Sequence, residues 1–186
     1  MDKIKHYLSL VKFSHTIFAL PFCFIGFSLA IKTNTVSFNW EKFILVVLCM
    51  LFARSAAMAF NRYIDRHFDK KNPRTAIREI PSNIISPNAA LFLVITCCLF
   101  FIFCSYLINT LCFYLSPIAL IIILGYSFTK RFTSLCHLIL GLGLALAPIG
   151  SYIALTEKFD SLPLLFSFLV FLWTSGFDII YALQDD

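Results

Sequence analysis

Fifty consecutive residues, 80–129, contain no Asp, Glu, Lys or Arg. No soluble fold of this size has room for such a run, and a bilayer has. A spanning helix needs about 20 mostly apolar residues, so fifty are too many for one span and suit two helices folded back on each other. The most polar point near the middle, Asn109-Thr110, is the expected turn. Two spans follow, 89–108 and 112–128. The rest of the chain repeats the pattern at 13–31, 43–60, 135–155 and 163–182, giving six predicted transmembrane helices. Gly141, Gly143 and Gly150 suggest close helix contact in the fifth. Composition agrees: 60% of the 186 residues are apolar, 13% are charged, and mean hydropathy is +0.86. These values exclude a soluble enzyme, a disordered chain and a nucleic-acid-binding module. The seven cysteines all lie in or beside apolar runs, without metal-ligand spacing, and read as small hydrophobes. Cys136-His137 is too little to form a site.

Charge placement sets an orientation. With the N-terminus in the cytoplasm, segments 1–12, 61–88 and 129–134 carry three, six and two Lys/Arg, eleven together. The opposite loops, 32–42 and 156–162, carry two and one. Eleven against three is a positive-inside pattern. The net charge of +5 therefore sets topology and does not call for nucleic acid. The remaining basic residue, Arg54, lies inside a span.

The long polar segment 61–88 opens on Asn61-Arg62-Tyr63-Ile64-Asp65-Arg66-His67-Phe68-Asp69. Asn61, Asp65 and Asp69, at i, i+4 and i+8, share one helix face. Two carboxylates and an amide on one face suit Mg²⁺, which binds through one or two carboxylates plus substrate phosphates. The same pattern also describes an ordinary solvated helix end, and spacing alone favours that reading. At the other end of the chain Asp178 and Asp185 lie seven apart, two turns on one face, with Tyr181 between them. Asp178 falls at the cytoplasmic end of the sixth span, where an acidic residue marks a candidate functional site. Lys130 and Arg131 stand at the end of the fourth span, as topological anchors or anion ligands. Arg54, seven residues before Asn61, faces the same side more deeply, as half of a buried pair or as a ligand for an anionic group.

Together these residues resemble the UbiA superfamily of intramembrane prenyltransferases, nearest its 4-hydroxybenzoate polyprenyltransferase group. Asn61 to Asp69 is similar to the family's first aspartate-rich motif, NDxxDxxxD, with Arg62 in place of its first Asp. Asn72-Pro73-Arg74-Thr75-Ala76-Ile77-Arg78-Glu79-Ile80-Pro81 resembles the segment after it. Tyr126 to Lys130 matches YxxxK, and Asp178-x-x-Tyr181-x-x-x-Asp185 begins DxxYxxxDxxxD. Phe13 to Phe22 resembles the family's first helix.

The resemblance implies an all-α polytopic fold and transfer of a polyprenyl group from polyprenyl diphosphate to the ring of 4-hydroxybenzoate or a similar aromatic acid, in ubiquinone or menaquinone biosynthesis. It implies Mg²⁺ held by Asn61, Asp65, Asp69 and Asp185, with Asp65, Asp69 and Asp185 catalytic. Lys130 and Arg74 would bind the diphosphate, Arg54 the acceptor's carboxylate, and Tyr126 would steady the allylic cation; Asp178 joins the substrate site. The implied location is the bacterial inner membrane, with the active site facing the cytoplasm. The family usually has nine spanning helices. Residues 1–186 would form a single transmembrane domain matching the N-terminal two thirds, with the second motif's last Asp beyond Asp186. The expectation for such a truncated chain is weak or no catalysis alone. A UbiA-type transferase with another acceptor and a catalytically inactive truncated membrane protein are the alternatives.

Overall fold

A computed structural model describes residues 2–34 and 36–183. Seven helices account for the regular structure, and no strand occurs among the described residues. They are α1 (Asp2–Leu10), α2 (Phe13–Asn34), α3 (Trp40–Asp69), α4 (Pro87–Ile108), α5 (Thr110–Thr129), α6 (Cys136–Thr156) and α7 (Ser161–Ala182). Helices α2 to α7 are each long and apolar enough to cross a membrane. They match the six predicted spans, and the protein is an integral membrane protein. Segment 1–12, read from the sequence only as a charged stretch, holds the additional short helix α1.

Local chemistry fixes the helix ends. The Asn39 side chain accepts from the Lys42 N–H at 2.9 Å and starts α3. Ser86 caps α4 through the Ala89 N–H, with Pro87 pre-set for the first turn. Asn109 is the turn between α4 and α5, as expected, and works twice. Its Oδ1 accepts from the Cys112 N–H at 2.7 Å, and its Nδ2 donates to the carbonyls of Ile153 and Ala154. The α4–α5 hairpin is thereby tied to the end of α6, whose Ile153 carbonyl also accepts from the Glu157 N–H at 2.9 Å and whose Ala154 carbonyl also accepts from Lys42 Nζ at 2.9 Å.

Helix α6 is the hub: α2, α5 and α7 all pack on it, while α3 packs on α4. Small residues permit the closest approaches. A Cβ at Gly26 on α2 would stand 1.9 Å from the Pro148 carbonyl oxygen, and one at Gly141 would stand 2.0 Å from Ser175 Oγ on α7. Gly143 and Gly150 do not serve this purpose: a Cβ at Gly143 would make only ordinary contact with Ile123, and at Gly150 would meet nothing within 4 Å. Glycine count in a span signals close packing, but only the face turned to a neighbour uses it. Large apolar side chains on the outer faces, such as Phe92 on α4 and Ile121 on α5, remain more than two-thirds exposed, as a lipid-facing surface requires.

Two ends of the bundle result. At one end lie Asn109, the α6 C-terminus and the buried Tyr152, whose hydroxyl donates to Asp160. At the other end, α3 runs on for its last turns to Asp69, the α5–α6 connection meets it through Lys130 and Arg131, and the end of α7 meets the start of α6.

Candidate active site at the end of the bundle

The acidic face predicted for 61–69 forms as a continuation of α3, and both carboxylates are buried: Asp65 is 9% exposed and Asp69 7%. Burial at that depth needs compensating charge. It comes from two different segments. Lys130, at the end of α5, bonds Asp65 Oδ2, and Arg131 Nη2 stands 3.8 Å from Asp65 Oδ1. Arg131 also donates to the Ile64 carbonyl at 2.6 Å and lies over the Phe68 ring. Asp69 Oδ1 accepts from Arg78 Nη1 at 2.7 Å, and Thr75 Oγ1 donates to the Asp69 carbonyl at 2.9 Å, folding the 70–86 loop back on the helix end. Oriented to satisfy both ends of its amide, Asn61 donates to Asp65 Oδ2 at 3.1 Å and accepts from Lys130 at 3.0 Å. Arg62 lies within electrostatic reach of Asp65, Asp69 and Arg78.

Three cations thus contact two carboxylates, with a fourth close by. The cluster carries an excess of positive charge, which suits an anion. One acidic oxygen remains open: Asp69 Oδ2 is buried and has no partner among the described residues. No group of three His, Cys, Asp or Glu converges on one point among those residues. The donor set of Asn61, Asp65 and Asp69 therefore fits a Mg²⁺ that draws the rest of its oxygen shell from bound phosphate, and not a closed protein cage.

Beneath the cluster a pocket is lined by Arg54, Asn61 and Tyr126 together with apolar residues of α3, α5 and α6. Arg54 Nε is buried there without a partner among the described residues. An unpaired guanidinium N–H in apolar surroundings is costly and favours an anionic occupant. Met50, Ala53, Ile123 and Gly143 line this pocket and also a larger apolar cavity of about 240 Å³, which reaches Ile108 and Phe159 near the opposite end of the bundle. Tyr126 has the Lys130 ammonium 5.9 Å from its ring centroid.

Sequence reasoning brought Asn61, Asp65, Asp69, Tyr126 and Lys130 to one place, and the structure does the same. Arg74 is exposed, its backbone N–H bonded to Asn72 Oδ1; Arg78, which the sequence did not single out, is the arginine on Asp69. Asp178 meets His137 Nδ1 at 2.7 Å, a pair that the reading of Cys136-His137 as too little for a site overlooked. Asp185 lies outside the described residues.

The comparisons with known proteins decide the family. The model of the UbiA prenyltransferase family matches residues 19–186. The chain belongs to the UbiA prenyltransferase family. A 4-hydroxybenzoate octaprenyltransferase of Aliivibrio fischeri (strain MJ11) is 36% identical over 149 residues, covering 79% of this chain and 51% of the relative. One of Legionella pneumophila (strain Paris) is 31% identical over 150 residues, 78% of this chain and 51% of its own. The chain thus spans about half the length of the curated relatives it matches. Among solved structures, a UbiA homolog from Aeropyrum pernix K1 superposes with a TM-score of 0.83 at 34% identity, over 92% of this chain and 64% of that one. A UbiA homolog from Archaeoglobus fulgidus bound to GPP and Mg²⁺ shares the fold at a TM-score of 0.75 and 21% identity, over 97% and 63%.

Proposed function

We propose that this UbiA member moves a polyprenyl group from polyprenyl diphosphate to the ring of 4-hydroxybenzoate or a similar aromatic acid in quinone biosynthesis. The observation that carries the reading is the cation-rich carboxylate cluster set over an apolar cavity at one end of a membrane bundle. That arrangement matches an amphiphile with a diphosphate head and a hydrocarbon tail. The A. fischeri and L. pneumophila relatives support the hydroxybenzoate acceptor.

Asn61, Asp65 and Asp69 hold Mg²⁺ in this reading, with Asp185 as a fourth ligand. Bound Mg²⁺ supplies Lewis-acid neutralisation of the charge that builds on the departing diphosphate. Lys130 and Arg78 add fixed positive charge on the same oxygens, with Arg131 beside them and Arg74 at the loop's outer edge. Arg54 takes the acceptor's carboxylate in the pocket below. Tyr126 offers its ring face to the allylic carbon as positive charge develops there. Asp178 belongs to the acceptor's surroundings. The tail lies along the apolar cavity.

Residues 1–186 act as one transmembrane domain in this scheme, seated in the bacterial inner membrane with the N-terminus and the site on the cytoplasmic side. The test is binding of geranyl diphosphate to the purified chain in nanodiscs, with and without Mg²⁺. Asp65→Ala and Asp69→Ala are expected to abolish the Mg²⁺-dependent part. Binding that survives both changes intact overturns the assignment.

A further inference from the structure

His137 and Asp178 form the second polar cluster at the site end of the bundle, and the donor chemistry above does not use it. His137 lies in the first turn of α6 and Asp178 in the last turns of α7. Their side chains are 22% and 25% exposed, so the pair is open to a ligand and still partly shielded from water. His137 Nδ1 takes Asp178 Oδ2; Asp178 Oδ1 has no hydrogen bond or ion pair among the described residues. The pair is tied to the pocket in two ways. Leu140, one helical turn after His137 on α6, lines the pocket that holds Arg54 and Asn61. Tyr126, which lines the same pocket, is within electrostatic reach of both Asp178 and Asp65.

The chemistry of the two clusters differs. Asp65 and Asp69 are surrounded by Lys130, Arg131 and Arg78 and suit an anion. Among the described residues Asp178 is paired only with an imidazole, and its open oxygen is an acceptor that repels a phosphate and suits a neutral O–H donor. An aromatic hydroxy acid presents both groups required: a carboxylate for Arg54 and a hydroxyl for Asp178. Without His137, the Asp178 carboxylate would be free to turn about its side-chain torsions, and the hydroxyl would lose a fixed acceptor.

We propose that His137 is a positioning residue for Asp178, and that the pair recognises the ring hydroxyl of the acceptor. This rests on the function proposed above and concerns only its acceptor half. Neither residue touches the diphosphate in this scheme.

The experiment measures binding of three probes to the full chain in nanodiscs: geranyl diphosphate with Mg²⁺, 4-hydroxybenzoate, and benzoate, which lacks the hydroxyl. For His137→Phe the expected result is a loss of ~10-fold in affinity for 4-hydroxybenzoate, about what one hydrogen bond to a charged group contributes. Benzoate and geranyl diphosphate affinities should stay within twofold of wild type. His137→Gln, which keeps an N–H donor, should restore most of the loss. The double variant H137F/D178N should bind 4-hydroxybenzoate no more weakly than Asp178→Asn alone, because the two residues act as one unit. Equal losses for all three probes would make His137 a structural residue and overturn the proposal. So would no loss for any probe, or a wild-type chain that binds 4-hydroxybenzoate no better than benzoate. A wild type that separates the two acids but does not bind geranyl diphosphate would instead count against the donor reading and leave the pair's role standing.

Discussion

Lys130 and Arg78 decide what the acidic helix face can do. A bare pair of buried carboxylates would be destabilising, and each is neutralised by a side chain from a different part of the chain. Lys130 comes from the end of α5, and Arg78 from the loop after α3. Each cation is only about a quarter to a third exposed, at 25% and 32%. A bound diphosphate can compete for them, since its oxygens are equally good acceptors for charge-assisted bonds. Lys130→Ala should therefore weaken geranyl diphosphate binding by about 10- to 100-fold, the range for one hydrogen bond between charged groups. Calorimetry in nanodiscs reads it directly. Arg54→Leu should behave differently. It removes a buried N–H that has no partner among the described residues, so thermal stability should hold or rise while 4-hydroxybenzoate binding falls at least tenfold. A variant that melts well below wild type would mean that Arg54 is part of a structural pair after all.

The helix–helix contacts carry a sharper prediction than the helices themselves. Gly26 on α2 lies against the α6 backbone at Pro148, and an added Cβ would fall 1.9 Å from a carbonyl oxygen that cannot move without bending α6. Gly26→Ala should cost about 1–3 kcal/mol, the usual penalty for overpacking, read as a lower melting temperature in detergent. Gly150→Ala, with nothing within 4 Å, should leave that temperature unchanged. The contrast marks the limit of what the sequence carries. Span positions were legible because hydropathy is local: the turn at Asn109 and all six long helices fell where charge and apolar runs put them. Helix α1 was not, because nine residues with Lys5 and His6 among them have no spanning signal. The acidic face was legible because i, i+4, i+8 is a property of one helix. Arg78 and His137 were not, because Asp69–Arg78 depends on how the 70–86 loop folds back and Asp178–His137 on the α6–α7 register, which no local pattern encodes.

For the molecule as a whole, the chemistry depends on which way the bundle faces. The polar side chains of the carboxylate and His137 clusters lie at the end that also holds the 70–86 loop and the α5–α6 connection, where eight of the Lys and Arg residues are concentrated in 61–88 and 129–134. The opposite end holds Lys32 in the last turn of α2, Lys42 in the first turn of α3 and Lys158 in the α6–α7 loop, and Lys42 Nζ donates to the Ala154 carbonyl at 2.9 Å. Translocating a basic loop is disfavoured, so the site end should remain on the cytoplasmic side. A donor delivered from soluble metabolism would then meet its cations without crossing the bilayer. A protease site inserted in 70–86 should be cut in inverted inner-membrane vesicles and protected in right-side-out spheroplasts. One inserted in 157–160 should behave in the opposite way. If both sites are cut from the same side, at least one of the intervening helices does not span. If both are reversed, the carboxylate cluster faces away from the cytoplasm, and any donor made there would need its own route across the membrane.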